Sequence, residues 1–175
     1  MNNYETVSLE EMLLFRENKY LLQGLFCNIY PDCIIISLSL NIPGPQKINE
    51  KYKIIFERGT KKIEESLIKN GNRLIEIAKI ENKCGNIAFF IVKGSAVRVI
   101  KKYMIDIEEK DEFGRLLDID VYYDNCRQIS RKDMMISERK CLICENNAKA
   151  CARNQTHSLI ELQQKIEEML GDFNV

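Results

Sequence analysis

Apolar residues recur along this chain at three- and four-residue intervals in some stretches, and crowd into short runs in others. The two rhythms lay out its elements. Ser8-Leu9-Glu10-Glu11 reads as a capping box, in which the serine hydroxyl and the glutamate carboxylate satisfy exposed amide donors reciprocally. It predicts a helix from about Leu9 to Gln23, with Met12, Leu13, Tyr20 and Leu21 among its inward residues. Cys33 to Leu40 (CIIISLSL) is apolar and β-branched enough for a buried strand. The strand must end at Asn41-Ile42-Pro43-Gly44-Pro45, where two prolines lack ladder donors.

Tyr52, Ile55, Phe56, Ile63 and Leu67 fall at helical spacing and predict a helix from about Asn49 to Lys69, stopped by Asn70-Gly71. Gly59 inside it points to close packing or a break. Arg73–Ile80 and Asn86–Val92 read as strands joined across Lys83-Cys84-Gly85. Ser95 to about Glu109 reads as a helix, with Met104–Ile107 alternatively extended. Arg115–Tyr123 is then a strand, turned by Asp124-Asn125 into another at Cys126–Ser130. After an irregular stretch, Ser158-Leu159-Ile160-Glu161 forms a second capping box and opens a last helix through Leu170. The pattern predicts one α+β domain over residues 1–175, with a mostly antiparallel mixed sheet and helices on one face.

With 175 residues, the chain suffices for one domain with a real core. Lysine plus arginine equals aspartate plus glutamate at 26 each, so bulk charge gives no argument for nucleic-acid or membrane partners, and any anion site must be local. No signal-peptide pattern opens the sequence, and no apolar run approaches the ~20 residues a bilayer span needs. Seven cysteines in that setting suggest reduced thiols in a cytoplasm. Cys27, Cys33, Cys84 and Cys126 are scattered and read as small apolar residues.

The stretch GRLLDID, residues 114–120, carries the first candidate chemistry. On a strand, Asp118 and Asp120 project from one face while Leu117, Ile119 and Val121 fill the other. Two carboxylates that close raise one another's pKa unless a cation sits between them. Mg²⁺ suits such oxygens and keeps phosphate or water as further ligands. An exposed edge strand with two solvated aspartates is the competing reading. Arg115 precedes them beside Gly114, and Arg127, Arg131, Lys132, Arg139, Lys140 and Arg153 add a local positive bias suited to a substrate with several phosphates.

Cys141, Cys144, Cys151 and His157 form C-x2-C-x6-C-x5-H, within a knuckle spanning 141–157. The first pair has zinc-knuckle separation, and His157 is the only histidine. Zinc here competes with reduced thiols in a small satellite core. In that case His157 would be a phosphate or hydroxyl contact, or a general base.

GRLLDIDV, then SRKD, then RKCLICENNAKACARNQTHS closely resemble the holo-acyl-carrier-protein synthase of citrate lyase, the apo-citrate lyase phosphoribosyl-dephospho-CoA transferase family. IPGPQK, residues 42–47, resembles that family's Pro-Gly-Pro-x-Lys segment, and the capped N-terminal helix carrying Arg16 also fits. The resemblance implies transfer of the phosphoribosyl-dephospho-CoA group from a 5″-triphosphate donor to a serine of the lyase's acyl carrier (apo gamma) subunit, with pyrophosphate leaving. By analogy with D-x-D nucleotidyltransferases, a nucleotidyltransferase-like sheet would place Mg²⁺ on Asp118 and Asp120. Arg115, Lys47, Arg131 and Arg153 would contact the triphosphate, with Gly44 and Asp133 also in the substrate site. Asp133, His157 or a third carboxylate would accept the serine proton. The rivals are a zinc-stabilised docking module without chemistry, and the same transfer onto another carrier such as that of malonate decarboxylase.

Overall fold

The Ser8 capping box forms as the sequence predicts: the Glu11 amide donates to Ser8 Oγ at 3.2 Å, and Glu11 Oε2 accepts from the Ser8 amide at 2.9 Å. The computed structural model describes residues 5–171, and this cap opens helix α1, Leu9–Ile29. The helix runs six residues past its predicted end at Gln23, straight through Gly24. Packing of its last turns carries it on: Phe26 packs against Phe89 with ring centroids 5.1 Å apart and planes tilted by 44°.

Its inward face differs from expectation. Leu13, Tyr20 and Leu21 are exposed at 54 %, 71 % and 60 %, whereas Phe15, Leu22 and Phe26 pack on the sheet and Met12 is half-buried. The helix is apolar on more than one side, so its own periodicity cannot choose a face. Tertiary packing chose the one that repeats as Met12, Phe15, Lys19, Leu22 and Phe26.

The chain divides into two compact units, Met1–Ile129 and Ser130–Val175. In the first, α1 is followed by β1 (Ile34–Leu40), α2 (Glu50–Lys69), β2 (Arg73–Ile80), β3 (Ile87–Lys93), α3 (Val97–Lys110), a 3-10 turn (Gly114–Leu116), β4 (Leu117–Tyr123) and β5 (Arg127–Gln128). The sheet order is β2-β3-β1-β4-β5, and every pairing is antiparallel, so the sheet is not mixed. Helices cover both of its faces, not one. Ile35, Ile87, Phe89, Ile91 and Tyr122 face α1. Leu38 and Leu117 face α2, where a Cβ on Gly59 would lie 2.9 Å from Leu117 Cδ2. Double coverage explains why β3 is buried at every position from Ile87 to Val92. Met104 and Ile105 are fully buried in α3, so the extended alternative for that stretch does not occur.

Cys27 on α1 and Cys126 in the β4–β5 turn form a disulfide, with Cα atoms 5.5 Å apart, in place of the separate thiols expected. The partners are 99 residues apart, and only the lie of α1 over the sheet brings them together.

In the second unit, the irregular stretch contains a short helix that periodicity missed, α4 (Ala148–Asn154), capped by Asn147. The Ser158 capping box forms as predicted and opens α5 (Leu159–Leu170), which buries Ile166 and Leu170. Among the described residues no helix is long and apolar enough to cross a membrane.

Candidate functional site

The register of β4 against β1 sets the geometry of the aspartate pair. Asp118 lies opposite Ser39, and Asp120 opposite Ser37, on the α1 side of the sheet. Leu117, Ile119 and Val121 point the other way and are essentially fully buried. The peptide between the aspartates is fixed from that opposite side by α3. The Ile119 amide donates to Glu108 Oε1 at 3.1 Å, and its carbonyl accepts from Lys101 Nζ at 3.1 Å. Both side chains are only 5 % exposed, so the strand cannot slip there without leaving a buried charge unpaired.

The positive charge demanded by two neighbouring carboxylates comes from α1. Lys19 Nζ lies 3.9 Å from Asp118 Oδ2 and 3.9 Å from Asp120 Oδ2, and donates to Ser39 Oγ at 3.0 Å. Asp120 also accepts from Gln128 Nε2 at 2.7 Å. Burial raises the Asp120 pKa above the ordinary carboxylate range, the Asp118 charge adds to that, and Lys19 opposes it. The buried Tyr122 hydroxyl is pushed up by burial first and by the Asp120 charge second.

A cleft of about 200 Å³ opens beside Asp118, and Arg16, Lys19, Ser39 and Lys47 line it. Lys47 Nζ donates to the Ile42 carbonyl, and its pKa is lowered by burial and then by the Arg16 charge. Among the described residues neither Arg16 nor Lys47 has an ion-pair partner, so two cations are held together with no anion between them. Gly44 takes φ of +86°, which the Pro43-Gly44-Pro45 turn requires, but it does not line the cleft. A second, more apolar cleft of about 400 Å³ shares Phe15 and Lys19 with the first and adds Leu22, Leu25, Ile80 and Ile87.

Arg115 sits in the 3-10 turn, half-buried, instead of on the strand, and does not line this cleft. Arg131, Asp133 and Arg153 belong to the second unit. Asp133 accepts from the Ser130 amide at 2.8 Å and from its hydroxyl at 2.6 Å, closing a turn, and Arg153 is exposed at the end of α4. Cys141, Cys144, Cys151 and His157 converge, with one ligand atom from each lying within 4.8 Å of the others. Lys19 is the residue that the sequence reading missed. Its signal was a lysine in the middle of an otherwise apolar helical stripe, i+4 from Phe15 and i−3 from Leu22.

A family model described as apo-citrate lyase phosphoribosyl-dephospho-CoA transferase matches residues 7–173. A probable apo-citrate lyase phosphoribosyl-dephospho-CoA transferase of Vibrio cholerae serotype O1 is 33 % identical over 169 residues, covering 97 % of this chain and 94 % of that protein. The apo-citrate lyase phosphoribosyl-dephospho-CoA transferase of Escherichia coli O157:H7 is 31 % identical over 172 residues, covering 98 % and 93 %. Protein CitXG of Leuconostoc mesenteroides subsp. cremoris is 32 % identical over 97 % of this chain, which spans 36 % of that longer protein. With a match from Val7 almost to its end, the chain belongs to the apo-citrate lyase phosphoribosyl-dephospho-CoA transferase family.

Proposed function

We propose that this protein transfers the 2′-(5″-phosphoribosyl)-3′-dephospho-CoA group from its 5″-triphosphate donor to a serine of the apo-acyl carrier subunit of citrate lyase. The observation that carries the reading is the cleft where Arg16, Lys19 and Lys47 converge beside Asp118. Lys19 is paired with the aspartates, but Arg16 and Lys47 have no ion-pair partner among the described residues. Two such cations in a partly buried cleft favour a polyanion, which a triphosphate tail supplies.

In the reaction the serine oxygen bonds to the phosphorus next to the ribose, the bond from that phosphorus to pyrophosphate breaks, and the serine proton passes to a base. Asp118 and Asp120 offer hard oxygen ligands that fit Mg²⁺. That ion, when bound, would polarise the attacked phosphate and offset charge on departing pyrophosphate. Lys47 and Arg16 would neutralise the tail, while Lys19 would hold a positive charge between the two carboxylates until donor and metal arrive. Lys101 and Glu108 would hold the Asp118–Asp120 peptide in register. The antiparallel sheet would serve as a nucleotidyltransferase-like scaffold, and the apolar cleft that shares Phe15 and Lys19 with the first suits the uncharged part of the donor. Arg115, in the 3-10 turn ahead of β4, would be a further phosphate contact in this reading.

The test is intact mass of purified apo-carrier after incubation with donor, Mg²⁺ and this protein. The expected result is a gain of one phosphoribosyl-dephospho-CoA unit, dependent on metal and lost in Asp118→Asn. No gain with the wild-type protein refutes the transferase reading, and equal gain on the carrier of malonate decarboxylase refutes the carrier assignment.

A further inference from the structure

We infer that Cys141, Cys144, Cys151 and His157 form a closed, structural zinc site, independent of the aspartate pair and of the transferase reading. Four ligand atoms gather closely enough for one ion to reach them all. Cys144 and Cys151 Sγ are 3.6 Å apart, and His157 Nε2 lies 3.2 Å from Cys144 Sγ. A zinc ion with bonds of about 2.3 Å to sulfur and about 2.0–2.1 Å to nitrogen sets tetrahedral edges of about 3.8 and 3.6 Å. These two distances are within a few tenths of an ångström of those edges, and all four ligand atoms lie within 4.8 Å of one another, so binding needs only a modest contraction of the cluster.

Cysteines packed as small apolar residues would turn toward aliphatic neighbours. These three instead turn toward one another and toward the only imidazole in the chain.

The surrounding backbone closes tightly around the cluster. The loop from Cys141 to Asn146 is closed by the Cys141 amide donating to the Asn146 carbonyl at 2.6 Å and by the Ala148 amide donating to the Arg139 carbonyl at 2.9 Å. That closure directs the amides of Ile143 and Cys144 at the Cys141 sulfur. Cys151 sits on α4, a helix of only seven residues, too short to hold itself together without an outside tie. Beyond it Gln155 takes a left-handed conformation at φ +48°, and the Thr156 amide donates to the Cys151 carbonyl at 3.0 Å. The chain is thereby folded back so that His157 returns to the cluster one residue before the Ser158 cap. One ion would join three local pieces, namely the knuckle loop, α4 and the start of α5.

Ligand chemistry selects the metal. Three soft thiolates and an imidazole favour zinc, whereas the carboxylate oxygens of the aspartate pair favour magnesium. Four protein ligands fill a tetrahedron and leave no position for an activated water, so the ion holds structure and does no chemistry. A consequence follows for the reaction. An imidazole nitrogen bonded to zinc cannot take a proton, which removes His157 Nε2 from the candidates for the serine's base.

The test uses the full chain, purified in reducing buffer without chelator. Elemental analysis and native mass should give one zinc per chain. Cys144→Ser and His157→Gln should lose it, and Cys84→Ser, outside the cluster, should retain it. Should the cluster variants be insoluble, the wild type alone decides. Titration with a mercurial should release one zinc as thiols react, and cobalt(II) replacing zinc should show a thiolate-to-cobalt charge-transfer band with intense visible absorption of a tetrahedral site. Zinc well below one per chain in a protein that also fails to take up stoichiometric cobalt overturns the site. So does a Cys144–Cys151 disulfide in the freshly purified chain, and so does iron in place of zinc.

Discussion

Replacing Lys19 by methionine keeps most of the apolar stem and removes only the charge that lies between the two aspartates. Its two ion pairs are each 3.9 Å long, which at an effective dielectric constant of about 20 corresponds to about 4 kcal/mol of bare attraction apiece. They are not equal in net effect. The Asp118 side chain is 47 % exposed, so water screens that pair to about 1 kcal/mol or less. The Asp120 side chain is 24 % exposed and Lys19 16 %, so this pair retains more, against the cost of desolvating both groups. Losing the lysine leaves Asp120 ionised beside Asp118 without compensation, and the net loss of stability should be about 2 kcal/mol. A chain of this length should then melt roughly 4–8 °C lower. Urea unfolding followed by far-ultraviolet circular dichroism is the assay, since there is no tryptophan to report by fluorescence. A double-mutant cycle with Asp120→Asn should show a coupling of about 1–2 kcal/mol, and one with Asp118→Asn under about 1 kcal/mol. Lys19→Met that unfolds within about 0.5 kcal/mol of wild type, or a stronger coupling to Asp118, would refute this account of the charges.

Asp120→Asn should raise stability at neutral pH while abolishing transfer. The folded-state pKa of Asp120 lies above its unfolded value of about 3.9, so the stability linked to its protonation is present below that value and lost as pH rises through the folded pKa. Urea midpoints measured from pH 4 to 8 should therefore diverge in favour of the variant as pH increases, and a constant difference would contradict the burial argument. Gly59→Ala should cost about 1–2 kcal/mol despite the better helix propensity of alanine, because the new methyl meets the buried Leu117 at 2.9 Å, and equilibrium unfolding checks it. Cys27→Ser should lower stability by up to about 4–5 kcal/mol in non-reducing buffer, given the 99-residue loop that the disulfide closes, and a reductant should bring the wild type toward the variant.

What was readable in advance follows the range of the interaction concerned. Both capping boxes, the two-proline stop after β1 and the Asn70-Gly71 stop after α2 are set by residues a few positions apart, and all of them form. The D-x-D register was readable because alternation along one strand fixes which side chains share a face. Failures came where a choice depended on a distant partner. Leu13 and Tyr20 lost to Phe15 and Leu22 because the sheet beneath α1 selects the face. The pairing of Cys27 with Cys126 depends on how a helix crosses a turn remote from it in sequence. Helices on both faces were signalled by the unbroken apolar run of β3, since a strand with one solvated face would alternate.

Lys19 shows how the two kinds of information combine at the site. The sequence states that two aspartates on one face need a positive neighbour, and the fold supplies one from 99 residues before Asp118. A lysine there is a different device from a resident metal ion. It stands 3.9 Å from both carboxylates, beyond hydrogen-bonding contact, while its firm bond goes to Ser39. The Asp118 carboxylate therefore stays open toward the cleft, while Asp120 gives one oxygen to Gln128. With Arg16 and Lys47, the cleft cations outnumber the two carboxylates by one, too little to balance a triphosphate unless a divalent ion arrives with it. On this reasoning donor and Mg²⁺ should bind together. Donor affinity without metal should be weak and strongly salt-dependent, and Lys47→Ala should weaken it further while leaving the fold intact. Isothermal titration of donor with and without Mg²⁺ separates the cases, and tight, salt-insensitive binding of the metal-free donor would show that the three cations suffice.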